Sequence, residues 1–151
     1  MKNSLSFCLF ALFVFGLMTS CGRVESDVST VEDRIVGTWQ ISDRTISPGL
    51  PGTGNDAFTS FEECHKDDLQ VFENSSVLKV DNGAIKCDLT SGQTESGSYA
   101  FNVDLTILTT TMNGTSQDWS VSEINDSNLI LIENVTFDGR DYEYTYTYVR
   151  Q

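Results

Sequence analysis

The 151-residue chain carries 22 acidic and 9 basic residues, a formal net charge of −13. Such a surface repels phosphate backbones and anionic headgroups, which sets nucleic acid aside as a partner. The acids are scattered and not gathered in a tail, the pattern of a solubilising surface rather than of a cation-binding segment.

The first twenty-one residues, MKNSLSFCLFALFVFGLMTSC, hold one positive charge at Lys2, an apolar run from Phe7 to Met18 and small residues before Cys21. That order marks an export signal and not part of a fold. The run is shorter than the roughly 20 residues a bilayer-spanning helix needs. Leu17-Met18-Thr19-Ser20-Cys21 resembles the lipobox of bacterial lipoproteins. The resemblance implies a lipoprotein signal peptide over residues 1–20, cleavage before Cys21, and palmitate-type acylation with Cys21 as the lipid attachment. It also implies a place in the bacterial cell envelope, at the outer membrane on its periplasmic or surface face. The competing reading is a plain secreted protein. Each buried methylene of an acyl chain contributes about 0.8 kcal/mol, so the body of an acylated protein need not touch lipid. Residues 21–29 are short, polar and without hydrophobic pattern, a flexible tether. Residues 30–151 are long enough for one domain with a sizeable core and too short for two.

Ser29-Thr30-Val31-Glu32 has the form of a capping box and predicts a short N-terminal helical turn. Thr59-Ser60-Phe61-Glu62-Glu63 predicts a second one ending near Cys64. Strand patterns dominate the rest: Ile35–Ser42, Leu69–Glu73, Val77–Val80, Ile85–Leu89, Ser98–Val103, Leu105–Thr111, Asp118–Ile124, Leu129–Glu133 and Tyr142–Arg150. Asn82-Gly83, Asn113-Gly114 and Asp138-Gly139 are hairpin dipeptides, and Asn125-Asp126-Ser127-Asn128 is a fourth turn. Both prolines, Pro48 and Pro51, fall in SPGLPGTGND, which predicts a loop over residues 43–58 and a lid for one barrel mouth. Serial hairpins with a single long loop favour an all-β fold, an antiparallel up-and-down β-barrel of about eight strands.

Of four cysteines, Cys8 lies in the export signal and Cys21 is the lipid site. Cys64 and Cys87 remain as an even pair in an oxidising compartment, which predicts a disulfide. Glu62, Glu63, His65, Asp67 and Asp68 form the densest ionisable cluster, but their spacing matches no metal-ligand pattern and reads as a solvated turn beside that disulfide. His65 is the only histidine, so any His-based nucleophilic constellation must use it. The glycines of PGLPGTG precede no helix, so no phosphate loop is present. The expectation is a protein that is not an enzyme and takes no cofactor and no metal.

Gly37-Thr38-Trp39 at the start of the first strand resembles the G-x-W signature of lipocalins and related calycin barrels. Cys64-His65-Lys66-Asp67-Asp68 with Phe72, Gly83, Cys87 and Gly97-Ser98-Tyr99 is similar to the lipocalin-like domains of bacterial lipoproteins, over residues 33–150. The resemblance implies that Gly37, Trp39 and Arg150 close the barrel. Trp39 would plug its bottom, and a late-strand arginine, here Arg150, would stack on the indole.

Arg150 shares strand parity with Tyr142, Tyr144, Tyr146 and Tyr148, so the phenols turn inward if the arginine does, while Glu143, Thr145 and Thr147 meet water. Tyr142, Tyr144, Tyr146, Tyr99, Phe101 and Trp119 are then the candidate ligand-binding residues. Four hydroxyls are hard to satisfy in a dry core, which places Tyr142 and Tyr144 near a wet mouth. Two functions stay open: a cup for a small hydrophobic or amphipathic ligand, or a solid barrel acting as a structural module toward an envelope protein partner.

Overall fold

The computed structural model describes residues 30–151; the expected signal peptide over 1–20, the expected lipid site Cys21 and the expected tether over 21–29 lie outside the described residues. The chain runs α1 (Val31–Ile35), β1 (Gly37–Leu50), β2 (Gly54–Asp56), α2 (Glu63–Lys66), β3 (Leu69–Phe72), β4 (Val77–Asp81), β5 (Thr94–Phe101), β6 (Ile107–Met112), β7 (Thr115–Ile124), β8 (Asn128–Phe137) and β9 (Arg140–Arg150). Strands β3 to β9 pair antiparallel in sequence order, and β1 pairs with both β3 and β9. The result is a closed eight-stranded antiparallel barrel, with β2 as a short margin on β1.

The turns follow from backbone sterics. Asn113 and Gly114 have φ of 50° and 79°, and Asp138 and Gly139 have 51° and 72°, the positive pair that a two-residue primed hairpin requires. At the β7–β8 turn the Asn125 side-chain oxygen accepts from the Ser127 and Asn128 amides. Helix α1 is capped one residue later than the sequence pattern suggests, by Thr30 with Asp33 reciprocating.

Two expectations are corrected. Residues 43–58 are not a loop: β1 continues through Pro48 to Leu50 and folds back along β2. Pro48 is tolerated because it falls inside the register break between Thr45 and Leu50, where the ladder to β2 is interrupted. Residues Ile85–Leu89 are not a strand but part of the β4–β5 connection. Their amides are drawn elsewhere, because the Asp67 carboxylate accepts from Ala84 at 2.7 Å and Ile85 at 3.0 Å, and Cys87 is bonded to Cys64. Ile85 and Leu89 consequently point to solvent. That disulfide ties α2 to the β4–β5 connection and closes a 23-residue separation, worth about 3 kcal/mol in the chain-entropy account.

One end of the barrel is sealed. Trp39 is wholly buried, and its indole N–H donates to the Ile35 carbonyl at 2.7 Å. The Arg150 guanidinium lies 4.3 Å from the indole ring and donates to the carbonyls of Arg34, Val36 and Asp126. Carbonyls at a helix C-terminus lack partners within the helix, and Trp39 and Arg150 together supply donors to three at the end of α1, those of Arg34, Ile35 and Val36. Gly37, at φ 143°, makes room: a Cβ there would stand 2.1 Å from Arg150 Nη1. Gly37→Ala should therefore displace the arginine and lower the unfolding free energy by roughly 2 kcal/mol. An unchanged urea midpoint for that variant would show the close approach to be dispensable.

Candidate functional site

Cross-strand register decides what faces the interior, since directly paired residues share a sheet face. Along the β1–β9 seam the pairs are Trp39 with Arg150, Ile41 with Tyr148, Arg44 with Tyr146 and Ile46 with Tyr144. Trp39, Ile41, Ile46, Tyr146 and Tyr148 are buried, so this face is the lumen. On β8 the matching residues are Leu129, Leu131, Glu133 and Val135. The tyrosine row thus climbs one wall of the barrel from Tyr148, near the sealed end, to Tyr142 at the far end.

A register shift between Ile41 and Asp43 resets the alternation of β1 and carries Arg44 inside. Its guanidinium sits over three rings, 4.3 Å from Tyr144, 5.0 Å from Phe61 and 5.1 Å from Tyr146. Tyr146 donates to the Glu133 carboxylate at 2.8 Å and meets Trp119 edge to face at 5.2 Å. Tyr148 accepts from the Gln70 amide at 3.2 Å. Trp119 donates to the Thr110 hydroxyl at 2.9 Å. Tyr146, Tyr148 and Trp119 each have a polar partner, which is what burial demands of them.

Two spaces open along this wall. An inner cavity of about 260 Å³ is lined by Ile41, Phe61, His65, Asp68, Gln70, Val80, Trp119, Tyr146 and Tyr148. An outer hollow of about 360 Å³, mostly apolar, is lined by Ile46, Leu50, Val135, Phe137, Tyr142 and Tyr144. Arg44 stands between them, stacked on rings that belong to both. Phe61 and His65 come from the segment leading into and through α2, so this segment, and not residues 43–58, supplies a wall of the inner cavity.

Of the candidate ligand-binding residues, Tyr146 and Trp119 line the inner cavity, and Tyr142 and Tyr144 line the outer hollow. Tyr99 and Phe101 do not join them. Tyr99 packs edge to face on Phe72 at 5.0 Å and donates to the Glu73 carbonyl, and both residues border a separate polar hollow beside α1. Their strand faces inward as expected, but the β5 register sets them at the sealed end. Sequence reasoning missed Arg44, Glu133, Phe61 and Gln70, and read Asp68 as solvated. Asp68 in fact lines the inner cavity, accepting at 3.1 Å from His65 Nδ1 in the tautomer that carries its proton there. Burial pushes its carboxyl above the usual range, His65 opposing and the Asp67 and Asp81 charges adding to the rise.

Glu62, Cys64, His65 and Cys87 present ligand atoms within 4.8 Å of one another. The two sulfurs are bonded to each other, so the group offers an ion only an imidazole and a carboxylate.

A family model described as a lipocalin-like domain matches residues 35–131. The chain belongs to the lipocalin-like domain family. Among solved structures it is similar to bovine odorant binding protein in complex with a selenium-containing odorant, with a TM-score of 0.44 and 12% identity over 84% of this chain and 76% of that one. A deswapped triple mutant of bovine odorant binding protein gives a TM-score of 0.43 and 11% identity over 78% and 74%. Comparison with curated proteins finds no match.

Burial also shifts the phenols. It pushes Tyr148 up to about 12, Gln70 opposing, and it raises Tyr146 together with the hydrogen bond to Glu133. Tyr99 is raised by burial and by the Glu32 charge. A phenol whose folded value lies above its unfolded 10.0 keeps its proton while the unfolded chain loses it, so stability is full below pH 10 and falls as pH rises toward 12. Ultraviolet titration should show these three tyrosines ionising late, with Tyr148→Phe flattening the alkaline loss of stability. Simple titration of all five near the ordinary phenol value would contradict the burial described.

Proposed function

We propose that this protein is a non-enzymatic binding protein that holds a small hydrophobic or amphipathic molecule in the inner cavity of its barrel. The observation that carries the reading is the cavity itself. Four aromatic rings, those of Phe61, Trp119, Tyr146 and Tyr148, and the aliphatic Ile41 and Val80 form its walls, while Asp68, His65 and Gln70 supply a few convergent polar groups. Small-molecule sites have this composition, an apolar body with a small number of placed polar atoms. Membership of the lipocalin-like family supports the same use of the fold. The barrel is solid only toward its sealed end, where Trp39, Phe72, Leu108 and Leu129 fill it; a purely structural module would gain nothing from the space above.

Titration with an apolar naphthyl dye tests this. Binding should quench Trp119 and spare the fully buried Trp39, so Trp119→Phe removes the tryptophan response while the dye's own emission still reports association. Filling the cavity with Val80→Phe should weaken binding about tenfold, roughly 1.4 kcal/mol. An unaltered affinity in the filled variant, or no dye binding at all, would favour the solid module that meets an envelope protein.

We further propose that the mature protein is held in the bacterial envelope through acylated Cys21, a reading supported by the resemblance of residues 17–21 to a lipobox. Cys21→Ala should move the protein from the membrane to the soluble fraction after cell lysis; retention in the membrane would show that the anchor is elsewhere.

A further inference from the structure

The inner cavity borders a second space of about 390 Å³, and His65, Asp68 and Val80 line both. The acids on the two linings are Asp68, Asp88 and Glu95, and neither lining includes a lysine or arginine. Asp68 stands where the spaces meet. One of its oxygens is taken by His65, while Oδ1 is buried and has no hydrogen-bond partner among the described residues. Oδ1 is closed to solvent, so a donor arriving from the cavity meets the carboxylate at Oδ2, which has lone-pair capacity beyond its bond to His65. The Trp119 ring on the same lining adds a face that attracts positive charge. Arg44 opposes this from the far side of Phe61 and Tyr146, but Glu133 meets the same tyrosine and offsets it. An anion in the inner cavity would face the Asp68 carboxylate, with Asp88 and Glu95 on the adjoining space, and a neutral apolar molecule would bring that carboxylate no donor.

From this geometry we infer that the cavity selects a small amphipathic cation, an ammonium on a planar apolar body, with the ammonium donating to the Asp68 carboxylate and the ring lying against Trp119. The inference rests on the cavity being a ligand site, and its test separates the two. Calorimetry on the full chain at neutral pH compares three probes of one shape: naphthylmethylamine, naphthylmethanol and naphthoate. The amine should bind about tenfold tighter than the alcohol, in line with a charge-assisted hydrogen bond replacing a neutral one, and naphthoate should bind weakest. Asp68→Asn should shrink the advantage of the amine to less than about twofold. Should that variant not fold, Glu95→Gln decides, with a loss of about twofold expected for the amine and none resolved for the alcohol. Equal affinities for amine and alcohol, an amine preference left unchanged by Asp68→Asn (or by Glu95→Gln where that variant decides), or naphthoate binding tightest would each overturn the cation assignment and leave the cavity a ligand site. Failure of all three probes to bind would overturn both.

Discussion

The packing of one guanidinium against one indole, across a position without a side chain, sets the geometry of the molecule. Arg150 is the last residue of β9 and Trp39 the third of β1, so their contact closes the barrel seam at its lowest rung. The same arginine reaches three carbonyls, two of them at the end of α1. Neither group could be buried alone at tolerable cost, because a desolvated charge needs partners and a buried indole N–H needs an acceptor. Above this rung the seam pairs in register as far as Ile41 with Tyr148 and resumes beyond the shift at Asp43 with Thr147.

From that rung the interior changes character in steps. Near the bottom the residues are large and apolar, and the polar atoms they carry are matched locally, as in the bond from Gln70 to Tyr148. One level up, Arg44 and Glu133 enter the lumen on strands that flank β9, and both touch Tyr146. Higher still, Tyr144 and Tyr142 are only half-buried, beside the exposed Leu50 and Phe137. The gradient separates a part of the barrel that confers stability from a part that can afford space.

How much of this could be read in the residues differs by element. The strand alternation and the turns at Asn113-Gly114 and Asp138-Gly139 announce the barrel, because both signals are local, whereas Asn82-Gly83 makes no two-residue hairpin and only begins the long β4–β5 connection. Trp39, Arg150 and the inward tyrosines were legible because β9 keeps strict parity over its whole length. Arg44 was not, because parity is lost at the irregularity after Ile41; the mismatch between odd Trp39 and Ile41 and even Ile46 is the one trace it leaves. Glu133 was accessible in principle, sharing parity with the apolar Leu129 and Leu131. Asp68 was hidden by its neighbours, since a run of charged residues looks solvated until the pairing of Gln70 with Trp39 turns every second one inward. Ile85–Leu89 alternates like a strand, and only the distant Asp67 carboxylate and Cys64 reveal that its backbone is already engaged.

Helix α1 bears on more than the seal it completes. The described chain starts at Thr30, directly before this helix and beside the stacked arginine, so the leading segment joins the domain at the pole farthest from Tyr142 and Phe137. Any force passing through α1 would enter the barrel beside the contact of Trp39 with Arg150, at the other pole from the hollow that Tyr142 and Phe137 line.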